Sequence, residues 1–263
     1  MPTEDKKMIY YHHGTPIYYT IKGEGPHLVL LHGFLESSQI WSALAVDWSK
    51  RRTVVTIDLP GHGKSGVLDD NATMENMATA INSVLSYNSI KKATVLGHSM
   101  GGYVALALAE LFPDFMDGLI LLNSTTLADS AERKLNRRRA VTILDQNPRA
   151  FISMAISNLF TSAGQVQFAS EIARLKDTAL GFPVAGIQAA VKGMMVRKDR
   201  TQVLHNFRAK KLLITGGQDP IVPLAEAKNI SKKTNTKLVI LDGGHMSWCE
   251  NEQEIVKVLH LID

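Results

Sequence analysis

The stretch Gly97-His98-Ser99-Met100-Gly101 decides how the rest of this chain is read. It joins two segments of opposite character. Lys92 to Leu96 (KATVL) is short, apolar and β-branched, and Gly102 to Leu111 (GYVALALAEL) is dominated by strong helix formers. Ser99 therefore falls at the corner between a strand and a helix. A serine held there takes a strained backbone angle, at a cost of about 1–3 kcal/mol, so that its hydroxyl stands clear at the sheet's edge. A side chain two residues before or after would crowd it, and glycine at 97 and 101 relieves that crowding. The spacing marks Ser99 as a nucleophile.

Outward from this corner, strands and helices alternate. Upstream the pattern predicts a strand over His27 to Leu31, a helix over Ser38 to Trp48, a strand over Thr53 to Ile57 and a helix over Thr73 to Leu85. A strand over Gly118 to Leu122 follows the central helix. The alternation resumes with strand Lys211 to Ile214, helix Leu224 to Lys232, strand Lys237 to Leu241 and helix Glu252 to Leu261. Ahead of all these, Met8 to His12 and Pro16 to Ile21 read as a hairpin around Gly14-Thr15. The predicted fold class is α/β, a mostly parallel eight-stranded sheet with helices on both faces. Between Ser124 and Asn206 no convincing strand occurs, and Pro148, Gly164, Gly181-Phe182-Pro183 and Gly193 punctuate short helices. The expected organisation is a core of residues 1–123 and 207–263, with residues 124–206 as a helical cap over the carboxyl edge of the sheet.

Composition narrows the classes. Hydrophobic residues at 45% and charged residues at 21% suit a globular enzyme, and 29 basic against 25 acidic residues is too small an excess for a nucleic-acid footprint. A single cysteine, Cys249, excludes an intrachain disulfide. The opening MPTEDKKM has no apolar signal core, so the expected location is the cytoplasm, and no run is long enough for a membrane span. A monomer or homodimer acting on a small molecule is expected, with no metal and no cofactor.

A serine hydroxyl needs a base and an orienting acid. Of the nine histidines, His245 follows strand Lys237 to Leu241 through Asp242-Gly243-Gly244, a loop at the carboxyl edge where Ser99 also emerges. His12 and His13 face opposite ways in a strand, His27 and His260 lack a glycine turn, and His205 closes the cap. Asp219 follows strand Lys211 to Ile214 through Thr215-Gly216-Gly217-Gln218 at the same edge, and is preferred to Asp242 as the acid. Asn123, at a third edge position, is expected only to form a turn, because an amide cannot stabilise an imidazolium. For the oxyanion of an attacked carbonyl, the N–H groups of Met100 and Phe34 are the candidate donors.

Five stretches together resemble the α/β-hydrolase fold family: Leu31-His32-Gly33-Phe34, Asp58-Leu59-Pro60-Gly61-His62-Gly63-Lys64-Ser65, Gly97 to Gly102, Gly216-Gly217-Gln218-Asp219-Pro220-Ile221-Val222-Pro223, and Gly243-Gly244-His245. The resemblance implies Ser99, Asp219 and His245 as nucleophile, acid and base, with Phe34 and Met100 as oxyanion donors. Serine at the nucleophile position sets the chain apart from relatives that dehalogenate alkanes or open epoxides through aspartate. His98 is expected to be a packed, hydrogen-bonded residue, His32 to hold the oxyanion loop, and Asp58 to Ser65 to be a structural turn. The expected activity is a serine carboxylesterase cleaving small or medium-chain esters through an acyl-enzyme. The alternatives are a carbon–carbon bond hydrolase, a pyruvate-eliminating synthase, a cofactor-free haloperoxidase or perhydrolase, and a ligand receptor with a retained triad.

The cap's apolar residues mostly pack helices together. A minority should line the pocket, with Phe34, Met154, Phe160 and Trp248 the expected substrate contacts. The basic run Arg133, Lys134, Arg137, Arg138 and Arg139 reads as a solvated helix face. The rival reading, which the resemblance implies for the eliminating and carbon–carbon bond-cleaving members of the family, turns one arginine inward to bind a substrate carboxylate.

Overall fold

The computed structural model describes residues 6–68 and 72–258. Eight strands form one sheet: β1 (Lys6–His12), β2 (Thr15–Lys22), β3 (His27–Leu31), β4 (Thr53–Ile57), β5 (Ala93–His98), β6 (Met116–Leu122), β7 (Lys210–Gly216) and β8 (Lys237–Leu241). Their spatial order is β1-β2-β4-β3-β5-β6-β7-β8. β1 pairs antiparallel with β2, and β2 with β4; β4, β3, β5, β6, β7 and β8 are parallel. The parallel strands deliver all their carboxyl ends to one edge, and that edge positions the site.

The core helices are α1 (Ser42–Trp48), α2 (Met74–Tyr87) and α3 (Met100–Leu111). Between β6 and β7 lie α4 (Ala131–Gln146), α5 (Pro148–Ser157), α6 (Ser162–Gln167), α7 (Ala169–Leu180), α8 (Val184–Met195) and α9 (Thr201–Asn206). After β7 come α10 (Leu224–Thr234), α11 (Ser247–Glu250) and α12 (Glu252–Val258). The segment expected to be one helix from Ser38 opens instead as a 3₁₀ turn, Ser38–Trp41, before α1. The end of the last expected helix, with His260, lies outside the described residues.

Alternation along the strands sorts the core into two layers. Leu28 and Leu30, Ile120 and Leu122, and Leu212 and Ile214 join one apolar cluster; Val29 and Leu31, Leu119 and Leu121, and Leu213 join the other. Each such side chain contributes roughly 1.5–3 kcal/mol on burial. All six residues of β5 are buried, as befits a strand covered on both faces. α2 and α3 cover one face, while Trp41, Trp48 and Ile255 cover the other. The helices between β6 and β7 feed both layers, through Leu144, Phe151 and Ile187 on one side and Ala190, Met194 and Leu204 on the other. Among the described residues no helix is long and apolar enough to cross a membrane.

Candidate active site

Ser99 stands between β5 and α3 with φ 49° and ψ −114°, a left-handed conformation uncommon for a side-chain-bearing residue. Backbone and side chain of the neighbouring turn hold it there. Its N–H donates to the Leu122 carbonyl at 3.0 Å, and its own carbonyl accepts from Gly102 N–H at 3.0 Å and Ser124 Oγ at 2.8 Å. The two glycines are required for a reason other than room around the serine. A Cβ on Gly97 would lie 2.3 Å from the Gly101 carbonyl oxygen, and one on Gly101 would lie 2.3 Å from that of Leu31. The turn folds back on itself and presses against β3.

Ser99, His245 and Asp219, which follow three different strands, form one hydrogen-bonded chain. Ser99 Oγ lies 2.9 Å from His245 Nε2, and His245 Nδ1 lies 2.9 and 2.8 Å from the two oxygens of Asp219. A carboxylate only accepts, so Nδ1 carries the proton and Nε2 is left to accept from the serine hydroxyl. Asp219 Oδ1 also accepts from the N–H groups of Ile221 (2.8 Å) and Val222 (2.9 Å). Burial alone would raise the Asp219 pKa, but His245, the Val222 N–H and the Asn123 amide hold it below the usual aspartate value. Asp242 is exposed. Asn123 does more than shape a turn: its Nδ2 donates to Asp219 Oδ2 at 3.0 Å and to the Gly244 carbonyl at 3.1 Å. It thereby ties the acid to the histidine loop.

A second buried chain runs through His98, the packed, hydrogen-bonded residue expected from the sequence, and through Glu36, which the sequence does not single out. Glu36 Oε2 accepts from Gly33 N–H at 2.5 Å and from His98 Nδ1 at 2.9 Å, while His98 Nε2 donates to the His245 carbonyl at 3.0 Å. Both partners of His98 are acceptors, so both its nitrogens carry protons. Burial opposes that charge, but Glu36 outweighs it and raises the His98 pKa above its ordinary value; reciprocally, burial would raise Glu36 and His98 lowers it. Gly33 is needed here for space, since a Cβ would fall 2.7 Å from Glu36 Oε2, and the unusual backbone angle belongs to Leu35 at φ 62°. His32 donates to the Gly33 carbonyl through Nδ1 and accepts from Leu59 N–H through Nε2, so it bridges the loop after β3 to the one after β4. Asp58 accepts from the N–H groups of Ser38 and Lys64, which makes its segment a braced turn.

Ser99 and His245 open onto a cavity of about 260 Å³. Phe34 lines it, and Met100, itself buried, opens α3 directly after Ser99, where first-turn N–H groups lack intrahelical partners. Tyr103, Leu159, Met194 and Ile221 supply further wall. Met154, Phe160 and Trp248 are not on it. Met154 on α5 is 51% exposed, whereas Trp248 on α11 and Phe160, in the turn between α5 and α6, are buried in the apolar cluster. The basic run divides: Arg138 and Arg139 are exposed, whereas Arg133 and Arg137 face the cavity. A larger groove of about 610 Å³, bordered by Tyr18, Asp58 and Lys64, contains none of Ser99, His245 and Asp219. Among the described residues no cluster of three or more His, Cys, Asp or Glu side chains is arranged to hold a metal ion.

Comparison with known proteins agrees with this architecture. The chain is 30% identical over 257 residues to the dihydrolipoyllysine-residue acetyltransferase component of the acetoin cleaving system of Cupriavidus necator, covering 94% of this chain but only 66% of that longer protein. It is 24% identical over 254 residues to a pimeloyl-[acyl-carrier protein] methyl ester esterase of Aliivibrio salmonicida, covering 94% and 95% of the two chains. A malate-bound structure of a thermophilic esterase from Thermogutta terrifontis superposes with a TM-score of 0.89 at 28% identity, over 98% of this chain and 97% of that one. The family model described as alpha/beta hydrolase fold matches residues 26–252, and with that match across most of its length this chain belongs to the α/β-hydrolase fold family.

Proposed function

We propose that this protein is a serine carboxylesterase that cleaves esters of small carboxylic acids through an acyl-enzyme. The observation that carries the reading is the relay from Ser99 Oγ through His245 to Asp219, with both links within 3 Å. His245 Nε2 takes the Ser99 proton as Oγ bonds to the ester carbonyl carbon. Asp219 steadies the imidazolium, and the N–H groups of Phe34 and Met100 receive the oxyanion. Collapse of the tetrahedral intermediate breaks the bond to the alcohol oxygen, which leaves with the proton from His245. Water, deprotonated by His245, then attacks the acyl carbon, and Ser99 regains its proton.

The helices between residues 124 and 206 act in this reading as a cap, since Leu159 and Met194 among them close the cavity over Ser99. The part of the cavity at Ser99 itself, about 260 Å³, lies below the common range of roughly 300–1,000 Å³ for ligand sites, which argues for a short acyl group there.

Steady-state hydrolysis of 4-nitrophenyl esters from acetate to decanoate tests the reading. Sustained turnover should peak at the short chains, and Ser99→Ala should lower kcat by about 10⁴-fold or more. Release of a single acyl equivalent, or turnover that survives Ser99→Ala, would overturn it.

A further inference from the structure

Charge on the walls of the Ser99 cavity is unbalanced. Glu36 and His98 pair with each other. The remaining charged side chains, Arg133 and Arg137, sit one turn apart on the same face of α4 and also border an outer continuation of the cavity, about 360 Å³, beside Asn136 and Pro220. Behind them Arg197, 2% exposed at its side chain, lies 4.2 Å over the Tyr103 ring and donates to Asp129 at 2.6 Å. Arg137 donates to the other oxygen of the same aspartate. Asp129 therefore serves two guanidinium groups.

Arg133 has no carboxylate partner among the described residues. It makes one cross-element hydrogen bond, from a terminal nitrogen to the Ile221 carbonyl at 2.7 Å. That bond anchors one arm of the fork and leaves the other donors available. Arg133, Arg137 and Arg197 against the carboxylates of Asp129 and Asp219 leave one positive charge in excess at a partly enclosed site, where the field is screened less than in open water. A planar guanidinium fork matches a carboxylate through two parallel hydrogen bonds. Because Arg133 and Ser99 border one small cavity, a carboxylate at the first and an ester at the second belong to a single compact molecule.

We propose that the site takes esters bearing a free carboxylate, which Arg133 binds with Arg137 beside it. The proposal rests on the ester-hydrolase reading above for the reaction, and on the arginines alone for the anion.

Two substrate pairs place the carboxylate on either side of the scissile bond. Monomethyl glutarate against methyl 5-oxohexanoate carries it on the acyl arm; the butanoate ester of 3-hydroxypropanoate against butyl butanoate carries it on the alcohol arm. In at least one pair, kcat/KM for the anionic ester should exceed that for the neutral one by about tenfold or more, the size expected of a charge-assisted hydrogen bond. Arg133→Met should collapse that ratio, Arg133→Lys should restore part of it, and Arg138→Gln, on the exposed side of α4, should leave it at the wild-type value. The Arg133 bond to Ile221 adjoins the Asp219 loop, so the readout is the ratio within each variant and not its absolute rate. Glutarate and inorganic phosphate are titrated separately into Ser99→Ala, with and without Arg133→Met. Glutarate binding that Arg133→Met abolishes supports the anion site even if no ester is turned over, in which case the hydrolase reading alone falls. Ser99-dependent hydrolysis with equal rates within both pairs, no glutarate binding, or tighter binding of phosphate than of glutarate overturns the carboxylate proposal.

Discussion

Glu36 illustrates how one buried residue can organise several loops. Its carboxylate receives the amide of Gly33 in the loop after β3 and the imidazolium of His98, and His98 in turn holds the His245 carbonyl. The pair has a defined pH signature. Glu36 titrates below its ordinary value of 4.5 when folded, so its contribution is complete above pH 4.5 and is lost as pH falls through the lowered value. His98 titrates above 6.5, so its contribution is complete below pH 6.5 and is lost as pH rises through the raised value. Glu36→Gln should therefore cost about 2 kcal/mol near pH 6, with the gap in Tm between wild type and variant narrowing as pH climbs above 6.5. Thermal melts from pH 5 to 9 check this, and a constant gap across that range would remove the ion pair as its cause. The bond to Gly33 is local, but the sequence around Glu36 does not signal the wider role, because its other partner, His98, stands 62 residues away and leads through to His245.

At the scale of elements, the turn from β5 into α3 owes its shape to close backbone contact. The positive φ of Ser99 lets α3 begin immediately at Met100, and Gly101 brings the first turn of that helix against the Leu31 carbonyl. Gly101→Ala should force the turn away from β3, because the obstructing atom is backbone and cannot rotate aside. A loss of about 1–3 kcal/mol follows, or a fall in Tm of roughly 2–12 °C for a chain of this size. In the proposed mechanism the same shift moves Ser99 from His245, so kcat should fall more steeply than stability does. Activity measured well below the variant's Tm separates the two, and a stable, fully active Gly101→Ala would contradict this account of the turn. The glycines are readable as a turn signal, but the contacts that require them, of residue 97 with residue 101 and of residue 101 with residue 31, are not.

Across the whole molecule, the helices between β6 and β7 share both apolar layers with the sheet. Ile187 packs in the cluster of Leu28 and Ile214, and Met194 in that of Leu31 and Leu213. These helices should therefore unfold together with the core in one transition. Denaturation followed by far-UV circular dichroism and by fluorescence of Trp41, Trp48 and Trp248 should give coincident curves; an earlier loss of helical signal would mean that the insert melts alone. Residue order carried the alternating elements, because hydrophobic periodicity and glycine turns are local, and the same turns labelled Ser99, Asp219 and His245 as edge positions. The approach of those three side chains to within hydrogen-bonding distance depends on the parallel packing of β5, β7 and β8. So do the bridge from Asn123, the Glu36–His98 chain and the cavity wall at Tyr103 and Ile221, which join residues far apart in the chain. The expected pocket residues Met154, Phe160 and Trp248 went elsewhere for the same reason: an apolar side chain suits a cavity wall, a core or a helix surface alike, and the way the helices seat on the sheet chooses among them.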